Sequence, residues 1–220
     1  LQMSVEVERK FFFNPDTLKT LEKIGAVCVN RQHFHDKYFD SPTFALTLRD
    51  TWLRQRQGCW ELKCPTTKTA QTNVAAELCT RYKEITDLSE IQRRVEEVLH
   101  ACEDGDRGPS LQDEESWLKK CHLLCFAQFA TTRQSFVLQA EGVRVDLDQA
   151  DFGYSVGEIE VLVPEGGDVN SALEKIERTA QKLGLTANQR VRGKMDVFLE
   201  RNLPEHYAKL LSYRGEKERR

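Results

Sequence analysis

The segment Glu6-Val7-Glu8-Arg9-Lys10 places a demand on the fold that few architectures meet. In an extended strand successive side chains point to opposite faces, so Glu6, Glu8 and Lys10 share one face while Val5, Val7 and Phe11 share the other. The apolar face asks for a core. The ionic face asks either for bulk water or for an enclosed polar site. A single strand of this kind is an ordinary surface strand, but here the pattern returns downstream with complementary charges.

Alternation places Trp52, Arg54 and Arg56 on one face of a strand over residues 51–56, and Gln57-Gly58 reads as a hairpin turn. The next strand, 59–63, puts Glu61 and Lys63 together opposite Trp60 and Leu62, and Pro65 ends it. Further strands are expected at 26–40, 77–86, 122–130 and 132–140, the last carrying Arg133. Over 143–148, Arg144, Asp146 and Asp148 alternate with Val143, Val145 and Leu147, and over 155–163 Glu158 and Glu160 share a face. Tyr82 and Glu84 are weaker site candidates, Glu84 as the charge partner of a neighbouring arginine.

Helices are expected from Asn14-Pro15-Asp16 to about Gly25, over 87–100, 111–120 and 168–184, and again over 194–200 and 205–213. Residues 66–73 and 105–109 read as loops, and Gly215 to Arg220 as a disordered charged tail. Met3 reads as the natural start, preceded by a Leu1-Gln2 remnant.

At 220 residues the chain suits one domain with appended helices. With 32 Lys plus Arg against 35 Asp plus Glu, it lacks the basic excess of a general nucleic-acid binder. No apolar run is long enough to cross a bilayer, and the charged start is unlike the hydrophobic region of a signal peptide. A soluble, cytoplasmic monomer is expected. The seven cysteines, an odd number without secretory context, are expected as free thiols. Cys121, His122 and Cys125 have no second set at zinc-like spacing.

Two inventories emerge. Glu6, Glu8, Asp146, Glu158 and Glu160 are hard oxygen ligands of the kind magnesium takes, with manganese as a substitute. Lys10, Arg54, Arg56, Lys63 and Arg133 are donors suited to phosphate oxygens. Gathering either set alone is costly. A divalent ion with a polyphosphate neutralises both. There is no Walker-type glycine-rich loop and no nucleophile elbow.

These residues resemble the ExExK signature of the CYTH, or triphosphate tunnel metalloenzyme, superfamily, and within it the animal thiamine-triphosphatase branch. The likeness runs in order through Trp52-Leu53-Arg54-Gln55-Arg56, Trp60-Glu61-Leu62-Lys63-Cys64-Pro65, Val143-Arg144-Val145-Asp146-Leu147-Asp148, Asp151-Phe152-Gly153-Tyr154, Gly157-Glu158-Ile159-Glu160 and Lys194. It implies an α+β fold: an antiparallel barrel of eight strands forming a tunnel, with helices packed outside. The tunnel domain is expected over 1–203, followed by a C-terminal helix and charged tail over 204–220.

The resemblance assigns Glu6, Glu8, Asp146, Glu158 and Glu160 to the metal, and Lys10, Arg54, Arg56, Lys63, Arg133 and Lys194 to a small organic triphosphate. Lys194 enters only through this pattern. The implied reaction is Mg2+-dependent hydrolysis of the terminal phosphoanhydride of thiamine triphosphate, with Lys63, Glu8 or Glu158 as the group accepting the water's proton. Trp52, on the face of Arg54 and Arg56, is expected to stack on the cationic thiazolium. The alternatives are an inorganic tripolyphosphatase or, less favoured, an adenylyl cyclase on the same scaffold, and a non-catalytic polyphosphate-binding module. The sequence departs from relatives at two places: Thr131 and Thr132 precede Arg133 where a lysine is common, and Gly193 stands where many carry serine.

Overall fold

The computed structural model describes residues 4–66, 74–100, 113–186 and 188–218. Its strands are β1 (Ser4–Phe11), β2 (Val27–Asp40), β3 (Trp52–Arg56), β4 (Cys59–Pro65), β5 (Cys79–Ile85), β6 (Leu124–Leu138), β7 (Val143–Ala150) and β8 (Tyr154–Pro164). The helices are α1 (Pro15–Lys23), α2 (Val74–Leu78), α3 (Leu88–His100), α4 (Glu114–Lys120), α5 (Val169–Lys182), α6 (Lys194–Asn202) and α7 (Pro204–Glu218), with a short 3₁₀ turn at Thr47–Arg49. The strands hydrogen-bond in the closed order β1-β5-β4-β3-β2-β6-β7-β8. This is the eight-stranded antiparallel barrel that the resemblance implies.

Two compact units divide the described residues. The first draws on 1–34, 66–83 and 130–197, the second on 35–65, 84–129 and 198–220. Four of the five divisions fall within elements, β2, β5, β6 and α6, and the fifth follows Pro65 at the end of β4.

In the first unit β1 pairs with β8 from Ser4↔Pro164 to Phe11↔Gly157, and β8 pairs with β7. Val7 and Phe11, Val143, Val145 and Leu147, and Ile159, Val161 and Val163 form one apolar core with Ala172, Leu173, Ile176 and Ala180 of α5. Burial of this sheet face is the main stabilising term. Arg9 also belongs to this face. It is 6% exposed, and its Nη1 donates to Glu177 of α5 at 3.3 Å. Gly157 lets Phe11 cross β8, since a Cβ there would fall 2.4 Å from the Phe11 ring. Helix α1 starts at a capping box in which Asn14 accepts from Asp16 and Thr17 N–H, and Thr17 accepts from Asn14 N–H.

The second unit has its own core: Phe39, Leu53, Trp60 and Leu62 with Ile91 and Val95 of α3 and Trp117 of α4. Gln57 and Gly58 both have positive φ, 49° and 82°, the requirement of a two-residue type I′ hairpin, and they join β3 to β4 as expected.

Several expected boundaries move. The two strands placed at 122–130 and 132–140 are one, β6, because Thr131 and Thr132 pair with Ala150 and Gln149 without interruption and no glycine or proline breaks the run. Glu77 lies in α2, so β5 begins at Cys79. The tail expected to be disordered from Gly215 continues α7 to Glu218: one glycine costs a helix about 1 kcal/mol and does not by itself end it. Helix α4 begins at Glu114 under an Asp113 cap. Residues 1–3, the expected loops at 67–73 and 105–109, Cys102, Leu111-Gln112 and Arg219-Arg220 lie outside the described residues.

Candidate active site

In the first unit the ionic face of β1 continues across its neighbours. Glu8 lies opposite Glu160 of β8 and Thr80 of β5, and Lys10 lies opposite Glu158. Glu158 in turn faces Asp146 of β7, which faces Ser135 of β6. Arg133 faces Asp148. Alternation alone produces these rows, so each charged side chain shares its face with charged neighbours. Glu6, Glu8, Asp146, Asp148 and Glu158 are all buried.

Ligand oxygens of Glu6, Glu8 and Glu160 lie within 4.8 Å of one another. Burial, followed by the charges of Glu6 and Glu8, pushes the Glu160 carboxyl up to about 9. A group of acids this tight stays fully ionised only beside cationic charge. The donor set, carboxylate oxygen throughout, fits a hard divalent cation. Thr80 Oγ1 donates to Glu8 at 3.2 Å.

Lys10 pairs with Glu8. Burial alone would lower the Lys10 pKa, but Glu8 and Glu158 outweigh it and raise it. Glu158 shows the converse: burial and Glu8 push its carboxyl up, while Lys10, Arg133 and Lys194 hold it below the usual value. Gly193 packs on Lys10 so closely that a Cβ there would fall 2.9 Å from Lys10 Cε. A side chain at this position would push on the Lys10 stem.

Arg133 is held in a fork. Its Nε and Nη2 donate to the two Asp148 oxygens at 2.6 and 2.7 Å, and Nη1 lies 3.1 Å from Asp146 Oδ2. Lys194 pairs with the same Asp148. Burial lowers the Lys194 pKa overall, although Asp148 opposes the shift. Asp148, 0% exposed, is not among the ligands or donors expected from the sequence, although it belongs to the Val143–Asp148 alternation. It sits in phase with Asp146, and that phase was the available signal.

The second unit carries the other basic residues. Arg56 donates from Nε and Nη2 to Asp36 at 2.6 and 2.8 Å. Arg54 pairs with Glu61, its cross-strand partner, and lies 3.8 Å from Glu84, which thus acts as charge partner of an arginine. Burial opposes the charge on Arg54, but Tyr38, Glu61 and Asp36 raise its pKa. Trp52 lies opposite Lys63 and donates its indole N–H to Asp50 at 2.9 Å.

The first unit thus gathers Glu6, Glu8, Lys10, Arg133, Asp146, Glu158, Glu160 and Lys194, with Tyr82 opposite Glu6. Trp52, Arg54, Arg56 and Lys63 belong to the second. The strand pattern pointed to neither Asp36 nor Thr80.

A CYTH domain matches residues 4–193. The chain belongs to the CYTH family. It is 38% identical to human thiamine-triphosphatase over 98% of this chain and 93% of that protein. Among solved structures, a Pyrococcus horikoshii protein superposes with a TM-score of 0.59 at 19% identity, covering 90% of this chain and 99% of its own. A putative adenylyl cyclase from Hippeastrum, described as having a dominant triphosphatase activity, superposes with a TM-score of 0.53 at 14% identity, covering 92% of this chain and 97% of its own. Both structural likenesses speak to the CYTH fold. The matched span runs from the first strand of the ionic face to Gly193, one residue short of Lys194. Among the described residues, no helix is long and apolar enough to cross a membrane.

Proposed function

We propose that this CYTH protein hydrolyses the terminal phosphoanhydride of thiamine triphosphate to thiamine diphosphate and phosphate. The observation that carries the reading is 38% identity to human thiamine-triphosphatase across nearly the whole length of both chains. The Glu6–Glu8–Glu160 cluster supports it chemically, because phosphate binding alone gains nothing from clustered carboxylates.

Glu6, Glu8 and Glu160, with Asp146 and Glu158, are the proposed holders of Mg2+, with Mn2+ as a substitute. When bound, the ion neutralises phosphate oxygens and draws charge from the terminal phosphorus. Lys10, Arg133 and Lys194 are proposed to take phosphate oxygens in exchange for their present carboxylate partners. Arg54, Arg56 and Lys63 are proposed as further phosphate donors on the strength of the family pattern. A water attacks the terminal phosphorus in line, and most of the rate comes from positioning and charge stabilisation. The proton goes to Lys63, Glu8 or Glu158. Of these, Glu158 is held ionised by Lys10, Arg133 and Lys194, which keeps it able to accept a proton but makes it a weaker base.

Trp52 is proposed to set the preference for thiamine by stacking on the thiazolium. We also propose a cytoplasmic monomer, with a tunnel domain over 1–203 and an appended segment over 204–220. The chain has no basic excess that would favour a nucleic-acid partner.

The test is phosphate release from thiamine triphosphate, inorganic tripolyphosphate and ATP, with magnesium and with a chelator, comparing wild type with Glu8→Gln. Magnesium-dependent preference for thiamine triphosphate, abolished in the variant, supports the reading. Preference for tripolyphosphate keeps the site and replaces the substrate. Release from none of them leaves a binding module. Loss of thiamine preference in Trp52→Ala would support the stacking role.

A further inference from the structure

Phe34, on β2, is a hydrocarbon ring amid charge. It is 2% exposed, and two cations lie over it: the guanidinium carbon of Arg133 at 5.2 Å from the ring centroid and Lys194 Nζ at 5.7 Å. Both cations are largely withdrawn from water, with side chains 11% and 10% exposed. Both also share Asp148 as a carboxylate partner. Asp148 and the Phe34 ring are therefore common contacts of the same pair.

The two contacts differ in kind. Asp148 consumes N–H donors, two of them from Arg133. The aromatic face attracts positive charge through its quadrupole and consumes none. Phosphate oxygens compete with Asp148 for donors and leave the ring contact intact. An aliphatic residue of similar bulk would fill the space yet offer no attraction to two desolvated cations.

We propose that Phe34 is a positioning residue that holds Arg133 and Lys194 together while their N–H donors pass from Asp148 to the phosphate oxygens of the substrate. The inference rests on the reading of this chain as an organic triphosphatase. It assigns Phe34 to ground-state grip on the triphosphate, so its removal should raise KM and leave kcat nearly unchanged.

The test places mono-, di- and trifluorinated phenylalanine at position 34, which withdraws π density stepwise at nearly constant shape, beside Phe34→Leu and Phe34→Tyr. KM for thiamine triphosphate with magnesium should climb with each fluorine, to roughly 10-fold for the trifluorinated ring, with kcat within about 2-fold and Tm lower by no more than a few degrees. Phe34→Leu should match or exceed that rise, and Phe34→Tyr should stay near wild type. A flat KM across the fluorinated series overturns the inference, as does a fall in kcat at constant KM. A wild type without turnover sinks the activity reading instead. The same series is then read by calorimetric binding of inorganic tripolyphosphate, where a flat Kd overturns the role of Phe34 by itself.

Discussion

Glu8 stands directly opposite Glu160 across the β1–β8 ladder, and Glu6 brings a third carboxylate oxygen within 4.8 Å of theirs. Like charges set face to face cost folding energy unless something positive joins them. Magnesium should therefore stabilise this protein before any substrate is present. At 100 times its Kd the ion should add about 2.7 kcal/mol, or roughly 5–10 °C in Tm for a chain of this size. Glu160→Gln should raise the Tm of the chelated protein and shrink the magnesium response. Equal melting with magnesium and with chelator in wild type would count against a metal site here.

Asp148 joins Arg133 and Lys194, and all three are buried or nearly so. Asp148→Asn keeps the shape and removes the charge that both cations share. Breaking a buried pair in this way typically costs about 3–5 kcal/mol, so Tm should fall by roughly 10 °C. Adding Arg133→Met to Asp148→Asn should cost less than the sum of the two single losses, because the bonds between Arg133 and Asp148 are lost only once. Urea unfolding of the single and double variants measures this, and strictly additive losses would show that the pair is not coupled.

The ionic face was legible in the sequence because a period of two is hard to mistake when it carries like charges: Glu6-x-Glu8-x-Lys10 and Glu158-x-Glu160 could be phased from residue type alone. Lys194 could not. It opens α6, and no strand alternation reaches it. Phe34 was equally hidden, since a phenylalanine in a strand reads as core, and only the positions of Arg133 and Lys194 give its ring a charged task. Asp148 is in phase as well, but phase does not say whether a carboxylate meets a metal or an arginine. Boundaries failed where composition carried no signal. Thr131-Thr132 has no turn residue to mark continuity or break, and Gly215 resembled a stop.

Helix α7 is fastened through His206, whose Nε2 lies 2.8 Å from Thr47 Oγ1 and whose ring stacks on Phe44 with centroids 3.7 Å apart. The ring is 2% exposed, and burial, with Lys209 nearby, brings its pKa down to about 4. The folded value thus lies below the ordinary value of 6.5, so unfolding takes up one proton in the window between them. Stability from this site is complete above pH 6.5 and falls as pH drops toward 4. Urea unfolding should show a loss on the order of 1–2 kcal/mol between pH 6.5 and pH 5. His206→Phe, which titrates at neither pH, should be flatter over the same window. An unchanged slope in the variant would assign the acid sensitivity to other groups.

Gly193 offers a way to move Lys10 without touching its charge. Its backbone lies outside the left-handed region, so alanine carries no backbone strain there, yet the new Cβ would fall 2.9 Å from Lys10 Cε and 3.5 Å from Cδ. The obstacle is the end of a flexible side chain, and the side chain is what yields. Gly193→Ala should therefore leave Tm within a few degrees of wild type while shifting the ammonium off Glu8. Small misplacements of a phosphate-binding group cost about 10- to 100-fold in rate, so kcat/KM for thiamine triphosphate should drop by about 10-fold or more. In a Lys10→Ala background the same substitution should have almost no further effect, because the group it displaces is gone. Equal losses from Gly193→Ala in both backgrounds would mean that position 193 acts on catalysis through something other than Lys10.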